Sequence, residues 1–267
     1  MWVLAYPIID PVIIEFGPLA IRWYGLAYLT GILLGWWVMR RLCPSSPAKI
    51  TPDHIGDFIF WAVIGIVIGG RLGSVLFYQF DYYQQHPLQA FAIWRGGMSF
   101  HGGLLGVIAA TILFARKHDI PVFAFGDIIA CVAPIGLFFG RIANFINGEL
   151  FGRPAPDLAW AMVFPRGGPD ARHPSQLYEA ALEGLILFCL LMFLWRITAI
   201  RKRSGTLIGI FLIGYGSART FVELFREPDA HLGFLSLGLT MGQWLSAPMI
   251  LAGVAFVVIA GRRNTAA

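Results

Sequence analysis

Seven apolar runs, each about as long as a membrane crossing, constrain this sequence more than any other feature. They cover residues 19–39, 55–80, 98–115, 124–146, 176–195, 205–225 and 239–260. A helix needs about 20 apolar residues to cross a bilayer. Charged residues make up only 13% of the chain, whereas soluble domains carry about 25%. The sequence therefore predicts an all-α, polytopic membrane bundle of about seven transmembrane helices, and we expect residues 1–267 to form a single integral-membrane domain.

The basic residues predict how this bundle is oriented. Most of them follow the first, third, fifth and seventh runs: Arg40, Arg41, Lys49, Arg116, Lys117, Arg196, Arg201, Lys202, Arg203, Arg262 and Arg263. Loops rich in Lys and Arg stay in the cytoplasm. We therefore expect an N-terminus on the outer side and a C-terminus in the cytoplasm. Because the net charge of +5 is spread over these short loops, no nucleic-acid partner is expected.

With that orientation, polar residues inside the runs fall in one layer near the outer side. Arg22 and Tyr24 lie near the outer end of the first predicted helix, Arg71 lies in the outer half of the second, and His101 begins the third. The other members of the layer are Arg141, Asn144, Asn147, His173, Gln176, Tyr178, Glu179, Tyr215, Arg219, Glu223 and Arg226. The last four recur at helical spacing and are predicted to share one face of the sixth helix.

The arginines of this layer indicate an anionic ligand. Insertion scales assign roughly 2.5–3.5 kcal/mol to an arginine at the centre of a membrane helix, so Arg141 is expected to face the bundle interior and meet an anion. A guanidinium binds a phosphate through two parallel hydrogen bonds. Arg141 and Arg219, with Arg71, therefore predict a phospholipid phosphate site at headgroup depth.

The same layer holds candidates for proton transfer. His101 is the first choice of proton acceptor, because histidine can act as a base near neutral pH, and the carboxylates of Glu149 and Glu223 are rivals. Asn144, Asn147 and Tyr24 are candidates for orienting substrate oxygens. No H-E-x-x-H pair and no Cys/His cluster with metal spacing occurs, so neither a metal nor a cofactor is expected.

Each of these residues also has a purely structural interpretation. Arg219 and Glu223 are spaced as an i,i+4 ion pair, and a lone His101 is more often a packing residue than a catalyst. Arg22 and Arg226 can extend to the headgroups, and Asn147 can belong to the turn that ends the fourth helix. The convergence of so many polar groups in one layer favours function.

The long outer segment at about 147–175 is a candidate cap. It contains five prolines and the pair Gly167-Gly168, and it is longer than ordinary connections between helices. We expect it to cover the site.

Several motifs resemble those of one family, the bacterial prolipoprotein diacylglyceryl transferases. The most specific is G-R-I-A-N-F-I-N-G-E-L-F-G at 140–152. The others are R-W-Y-G-L at 22–26, G-G-R-L-G at 69–73, G-G-M-S-F-H-G-G at 96–103, R-H-P-S-Q-L-Y-E at 172–179 and G-Y-G-S-A-R-T-F-V-E-L-F-R-E-P-D at 214–229. They follow one another in the family's order, so the resemblance covers nearly the whole chain.

The resemblance implies an activity and a set of site residues. The diacylglyceryl group of phosphatidylglycerol would pass to the lipobox cysteine thiol of a prolipoprotein, which forms a thioether and releases glycerol 1-phosphate in the first step of lipoprotein maturation. The enzyme would lie in the bacterial inner membrane with its site on the periplasmic side, as a monomer by default. By resemblance, Arg141 and Arg219 are essential and His101 is important. The supporting positions are Tyr24, Asn144, Glu149, Gly152, Tyr215 and Glu223.

Two other functions use the same residues differently. A transporter or flippase of an anionic phospholipid would need the arginines only for binding, and a lipid-binding scaffold would perform no reaction. Transporters place their substrate site near the bilayer midplane. The predicted layer lies on one side, which favours an interfacial enzyme.

Overall fold

The computed structural model describes residues 4–17, 19–228 and 233–265, and it is mostly helical, at 69% helix. In chain order the strands and α-helices are β1 (Val12–Phe16), β2 (Leu19–Arg22), α1 (Trp23–Leu42), α2 (Pro52–Gly73), α3 (Phe80–Gln85), α4 (Phe100–Lys117), α5 (Val122–Ile146), α6 (Ser175–Glu179), α7 (Leu187–Arg196), α8 (Thr198–Arg201), α9 (Thr206–Val222) and α10 (Met241–Thr265). Two π-helical segments, Ser74–Tyr78 and Ala180–Ile186, follow α2 and join α6 to α7.

A helix occupies each of the seven apolar runs. Among the described residues, five segments are long and apolar enough to cross a membrane, and these are Pro52–Tyr78, Phe100–Lys117, Val122–Ile146, Ser175–Arg196 and Met241–Arg262. The helix Thr206–Val222 is apolar but shorter, with 17 residues, and α1 has 20 residues. The chain is therefore a multi-pass, mostly helical membrane protein.

The first apolar run does not begin as a helix. β1 and β2 form an antiparallel hairpin with Val12 opposite Arg22 and Phe16 opposite Leu19, turning at Gly17, which has a positive φ of 57°. Arg22 was predicted near the outer end of the first helix, but it ends β2, and α1 begins at Trp23. The length of an apolar run does not by itself show whether its first residues form a strand or a helix.

The chain divides into two compact units, the second of which is Met39–Gly126. Its main helices, α2 and α4, pack closely, as their glycine spacing predicts. A Cβ on Gly69 would lie 2.8 Å from the Cα of Gly106, and one on Gly73 would lie 2.8 Å from the Cα of Gly102. Helices in lipid approach this closely where small residues face each other.

The first unit comprises the described parts of Met1–Val38 and Asp127–Ala267. In it, Gly205, which has a positive φ, directly precedes α9, and the helix is capped from α5. The buried carboxylate of Asp127 on α5 accepts from the backbone N–H of Gly205 at 2.7 Å and of Ile208 at 2.9 Å. Such a cap satisfies N–H groups that have no partner within their own helix. It fixes the start of α9 against α5.

The segment 147–175, also in the first unit, is ordered by its own backbone hydrogen bonds. Ala155 donates to Ala171 at 2.7 Å, and Met162 and Arg172 exchange bonds of 3.0 and 2.8 Å. Phe164 is fully buried, and its ring lies 5.1 Å from the ring of Tyr6 and 5.6 Å from that of Phe151. The guanidinium of Arg153 donates to the carbonyls of Arg226 and Glu223, both at 3.0 Å, so the segment is attached to the chain that follows α9.

Candidate active site

Six charged side chains of the first unit are joined by N–O distances of 4 Å or less. We call them the arginine–glutamate cluster, and its members are Arg141, Arg219, Arg226, Glu179, Glu183 and Glu223. Three arginines balance three glutamates. Two of the arginines and Glu223 were predicted as site residues, and the structure brings them together.

Arg141 is held by two carboxylates of the neighbouring helix. Its Nε lies 3.2 Å from Oε2 of Glu179, and its Nη2 lies 3.3 Å from Oε2 of Glu183. Glu179 ends α6 and Glu183 lies in the π-helical segment, at the i,i+4 spacing that places both on one helical face. Arg141 itself lies in the last turns of α5, so two helices fix its guanidinium.

Arg219 and Arg226 bind Glu179 from the other side. Arg219 contacts Oε1 of Glu179 through Nη1 and Oε1 of Glu223 through Nη2 at 2.5 Å. Nη1 of Arg226 lies 2.9 Å from the same Oε1 of Glu179. Glu179 therefore compensates three arginines at once. The i,i+4 ion pair between Arg219 and Glu223 is present, but it is one part of a larger arrangement.

The burial of the cluster differs between the two signs of charge. The side chains of Glu179 and Glu183 are 0% exposed, whereas those of Arg141 and Arg219 keep 16% and 13% of their surface exposed. Buried charges persist only when they are paired and hydrogen-bonded. The buried carboxylates thus fix the guanidinium groups, and the side chains of Arg141 and Arg219 keep part of their surface accessible.

Sequence reasoning missed part of this cluster. Glu183 was not considered, and Glu179 was placed in the polar layer without a role. The interpretation of Arg226 as a headgroup arginine is wrong, because its side chain is 7% exposed and paired with Glu179. The signal for both glutamates was present, since two carboxylates four residues apart inside an apolar run require counter-charges.

The predicted face of the sixth helix needs a correction at its end. α9 stops at Val222, so Glu223 and Arg226 follow the helix. The backbone N–H of Glu223 still donates to the carbonyl of Arg219 at 3.0 Å, which keeps the two side chains within pairing distance. Tyr215, one turn before Arg219, lies within electrostatic range of Glu183 and Arg141.

A second polar group in the same unit contains the predicted orienting residues. The buried Nδ2 of Asn144 donates to Oε1 of Glu149 at 2.8 Å and to the hydroxyl of Tyr24 at 3.3 Å. Asn147 donates to the same oxygen of Glu149 at 3.4 Å. Gln176, fully buried, donates to the carbonyl of Glu149 at 2.6 Å. The Glu149 carboxylate is therefore held by two amides at the end of α5.

Gly152 lies where neighbouring segments of the chain approach too closely to leave room for a side chain. A Cβ there would lie 2.5 Å from the Cβ of His173 and 2.6 Å from the carbonyl oxygen of Phe225. Its N–H donates to the carbonyl of His173 at 2.8 Å. Gly152 is thus required by packing, and it joins the segment 147–175 to the chain after α9.

His173 lies beside this junction. Its Nδ1 lies 3.2 Å from the hydroxyl of Tyr178, and its ring lies 5.1 Å from the ring of Phe225. Burial lowers the pKa of His173 below its usual value of about 6.5.

Arg71 and His101 belong to the second unit. The buried guanidinium of Arg71 donates to five carbonyls: Ala90 and Gln89 at 2.7 and 2.6 Å, Gly96 and Gly97 at 2.6 and 3.1 Å, and Ala92 at 3.4 Å. These bonds use all five of its N–H donors and hold the segment between α3 and α4.

His101, the second of these residues, lies in the first turn of α4, as predicted, with an exposed side chain that contacts the ring of Phe100 at 5.6 Å. A metal role finds no support in the described parts of the chain, where no three His, Cys, Asp or Glu residues are grouped to hold an ion.

Comparison with known proteins identifies the family. The family model for prolipoprotein diacylglyceryl transferase matches residues 11–259. Three proteins named phosphatidylglycerol–prolipoprotein diacylglyceryl transferase are similar to the chain over nearly its whole length. The one from Rhodospirillum rubrum is 59% identical over 98% of this chain and 96% of its own. The one from Rhodospirillum centenum is 58% identical over 96% and 93%, and the one from Azospirillum brasilense is 57% identical over 100% of both. The chain therefore belongs to the prolipoprotein diacylglyceryl transferase family.

Proposed function

We propose that this protein transfers the diacylglyceryl group of phosphatidylglycerol to the lipobox cysteine thiol of prolipoproteins. The thiol sulfur forms a bond to the terminal glycerol carbon, the bond from that carbon to the phosphate oxygen breaks, and glycerol 1-phosphate leaves. The family membership and the names of the similar proteins support the substrates. The observation that carries the site is that buried glutamates hold Arg141 and Arg219 while both arginine side chains keep part of their surface accessible.

The cluster suits a leaving phosphate. Charge builds up on the phosphate oxygens as the carbon–oxygen bond breaks, and donors that are already in place stabilise that charge without further reorganisation. Arg141 and Arg219 are held by Glu179 before any ligand binds. We assign the phosphate to these two residues.

The proton of the thiol needs an acceptor, since a cysteine thiol has an ordinary pKa of about 8.5. His101 remains our first choice, because an imidazole accepts protons near neutral pH. Glu223 is a weaker rival, as its Oε1 is already paired with Arg219 at 2.5 Å. Glu149 is the stronger rival, as it is only half-buried. An unchanged pH–rate profile in His101→Gln would exclude His101.

The remaining assignments concern substrate contacts. We propose that Tyr24, Asn144 and Asn147 orient substrate oxygens near Glu149. Hydrogen bonds join these four residues into one group. Tyr215 faces the cluster and lines the same site. The predicted contact of Arg71 with the phosphate is not retained, since backbone carbonyls engage all of its donors.

The topology and location follow from the charge pattern. We propose seven crossings, a periplasmic N-terminus, a cytoplasmic C-terminus and a site that faces the periplasm across the bacterial inner membrane. The segment 147–175 forms a cap in a single integral-membrane domain, and the protein works as a monomer. The loop charges support this orientation.

The test is a reconstituted transfer reaction. Purified protein is incubated with phosphatidylglycerol and a lipobox peptide, and both peptide mass and glycerol phosphate are measured. We expect a diacylglyceryl mass gain that is lost with a Cys→Ser peptide and with Arg141→Ala. Lipid movement between leaflets without any mass gain, from folded protein, would instead indicate a flippase.

A further inference from the structure

An apolar cavity of about 290 Å³ lies in the first unit, between α1, α5 and the helix Ser175–Arg196. Leu34 and Val38 of α1 line one side, Ile135 and Phe138 of α5 line the floor, and Phe188 lines the other side. No charged side chain contributes to its walls. The volume is at the lower end of the range of small-molecule pockets, roughly 300–1,000 Å³.

Glycine contacts bring both neighbouring helices onto α5 and leave this space between them. A Cβ on Gly31 of α1 would lie 3.2 Å from the Cα of Gly136, and one on Gly184 would lie 2.7 Å from the Cβ of Phe138. Gly184 belongs to the π-helical segment Ala180–Ile186, a distortion that occurs frequently at functional sites.

Two residues that line the cavity lie close to members of the arginine–glutamate cluster along their own helices. Phe138 lies three residues before Arg141 and therefore on the same face of α5, about 4.5 Å away along the helix axis. Gly184 directly follows Glu183, which binds Arg141 at 3.3 Å. Ile135 lies about 9 Å before Arg141 along α5. The cavity residues of α5 therefore lie on the N-terminal side of Arg141, within about two turns of it.

A phospholipid has the same arrangement of charge and apolar length. If its phosphate binds Arg141, its acyl chains extend away from the headgroup layer, which is the direction in which the cavity runs along α5. Leu34 is partly exposed at the rim, so a chain can enter from the side. A glycerol headgroup or a peptide backbone would leave its polar groups without partners in these walls.

We propose that this cavity holds part of one acyl chain of the phospholipid donor and makes the enzyme selective for chain length. The proposal rests on the proposed function, because it places the donor phosphate at Arg141. A chain that reaches the buried side chains of Val38 and Ile135 makes van der Waals contacts that a shorter chain does not. A shorter chain leaves that part of the cavity unfilled, and its lining loses those contacts.

The experiment compares a cavity-filling variant with a matched control. Leu34→Trp places an indole at the cavity, whereas Leu33→Trp adds the same group one residue earlier on an exposed position outside it. Dioctanoyl and dipalmitoyl phosphatidylglycerol compete as donors in micelles of a fixed, non-donor phosphatidylcholine. We expect Leu34→Trp to lower the long-to-short transfer ratio, because the indole occupies space that the longer chain would fill, and Leu33→Trp to leave the ratio unchanged. Phe188→Ala, which enlarges the cavity, should shift the ratio the other way.

Equal ratios in Leu34→Trp and Leu33→Trp, with Phe188→Ala also unchanged, would overturn the proposal. A rise only in the KM for the peptide would also overturn it, because the cavity would then belong to the acceptor. A transfer ratio that depends on the phosphatidylcholine of the micelle, and not on the donor chain, would overturn it as well. Native mass spectrometry of the same variants measures the chain length of bound phosphatidylglycerol without transfer. Selective binding without any transfer would contradict the proposed function and leave the cavity assignment supported.

Discussion

Glu179 is the residue on which the candidate site depends most. Its Oε1 contacts Arg219 and Arg226, its Oε2 lies 3.2 Å from Arg141, and its side chain is fully buried. An isolated buried charge costs several kcal/mol, so none of these four groups is stable in place without the others. The glutamate therefore sets the position of the arginines before a ligand arrives.

Replacing Glu179 with Gln should lower the stability of the folded protein and abolish its transfer activity. Three guanidinium groups lose their shared carboxylate, and breaking a buried ion pair costs about 3–5 kcal/mol. We expect a clear fall in the thermal unfolding midpoint in detergent and loss of transfer. The control is Glu227→Gln, since Glu227 pairs with Arg172 but is 45% exposed, and exposed pairs contribute about 1 kcal/mol or less. Equal midpoints for the two variants would contradict this role of Glu179.

The pH dependence of stability should carry a contribution from His173. Because burial lowers its pKa, the unfolded chain binds a proton more readily than the folded one, and stability falls as pH drops through about 6.5. Above that pH the contribution is fully present.

The measurement is the unfolding midpoint of wild type and His173→Gln between pH 8 and pH 5. The variant should show a shallower loss at the acid end. His86→Gln, which changes an exposed histidine, should keep the slope of wild type. The same slope in all three proteins would exclude His173.

At the scale of single residues, the sequence predicts which charged residues belong to the site better than it predicts the groups with which they pair. Arg141, Arg219 and Glu223 were identified because charge in an apolar run must have a reason. Glu183 is also a charge in an apolar run and was overlooked; its pairing with Arg141, 42 residues away along the chain, could not be predicted from sequence spacing. Arg71 was predicted to bind substrate, and its five carbonyl partners lie 18 to 26 residues away along the chain, in a segment without a regular pattern.

Among the elements, α2 and α4 depend on glycine for their contact. Gly69→Ala adds a Cβ 2.8 Å from the Cα of Gly106, which is backbone and has no rotamer with which to move away. We expect the helices to separate and the unfolding midpoint to fall. Gly56→Ala is the matched control on the same helix, because its Cβ would meet nothing within 4 Å, and alanine favours helix over glycine by about 1 kcal/mol.

The same two variants distinguish packing from helix propensity. If propensity alone decided, both substitutions would stabilise the protein. A raised midpoint in Gly69→Ala would therefore contradict the close contact between α2 and α4.

Element boundaries show why local pattern is insufficient. The strand Leu19–Arg22 was included in the first predicted helix, and its partner strand Val12–Phe16 was not predicted, because hydropathy reports burial in lipid or protein but not backbone geometry. The end of α9 at Val222 was also missed, since the i,i+4 spacing of Arg219 and Glu223 persists one residue beyond the helix. Helices with long, uninterrupted apolar runs, such as α5, were placed to within a few residues.

For the whole molecule, orientation can be tested without activity. In a cysteine-free background, Asp157→Cys in the segment 147–175 and Lys202→Cys after α8 are both exposed positions. A maleimide that does not cross membranes should label position 157 once the outer membrane is permeabilised, and position 202 only after the inner membrane is opened. The opposite pattern would invert the proposed topology and place the cap in the cytoplasm.

The central claim is that Arg141 and Arg219 act on the phosphate of the donor lipid. The most direct measurement is the rate of glycerol phosphate release in Arg141→Gln and Arg219→Gln, with Arg166→Gln, an exposed arginine of the segment 147–175, as the control. Removing one donor to a developing anion typically costs about 10²–10³ in rate. We predict losses of that size at positions 141 and 219 in protein that remains folded, and a rate near that of wild type at position 166. Folded Arg141→Gln and Arg219→Gln variants that release glycerol phosphate as fast as Arg166→Gln would contradict the claim.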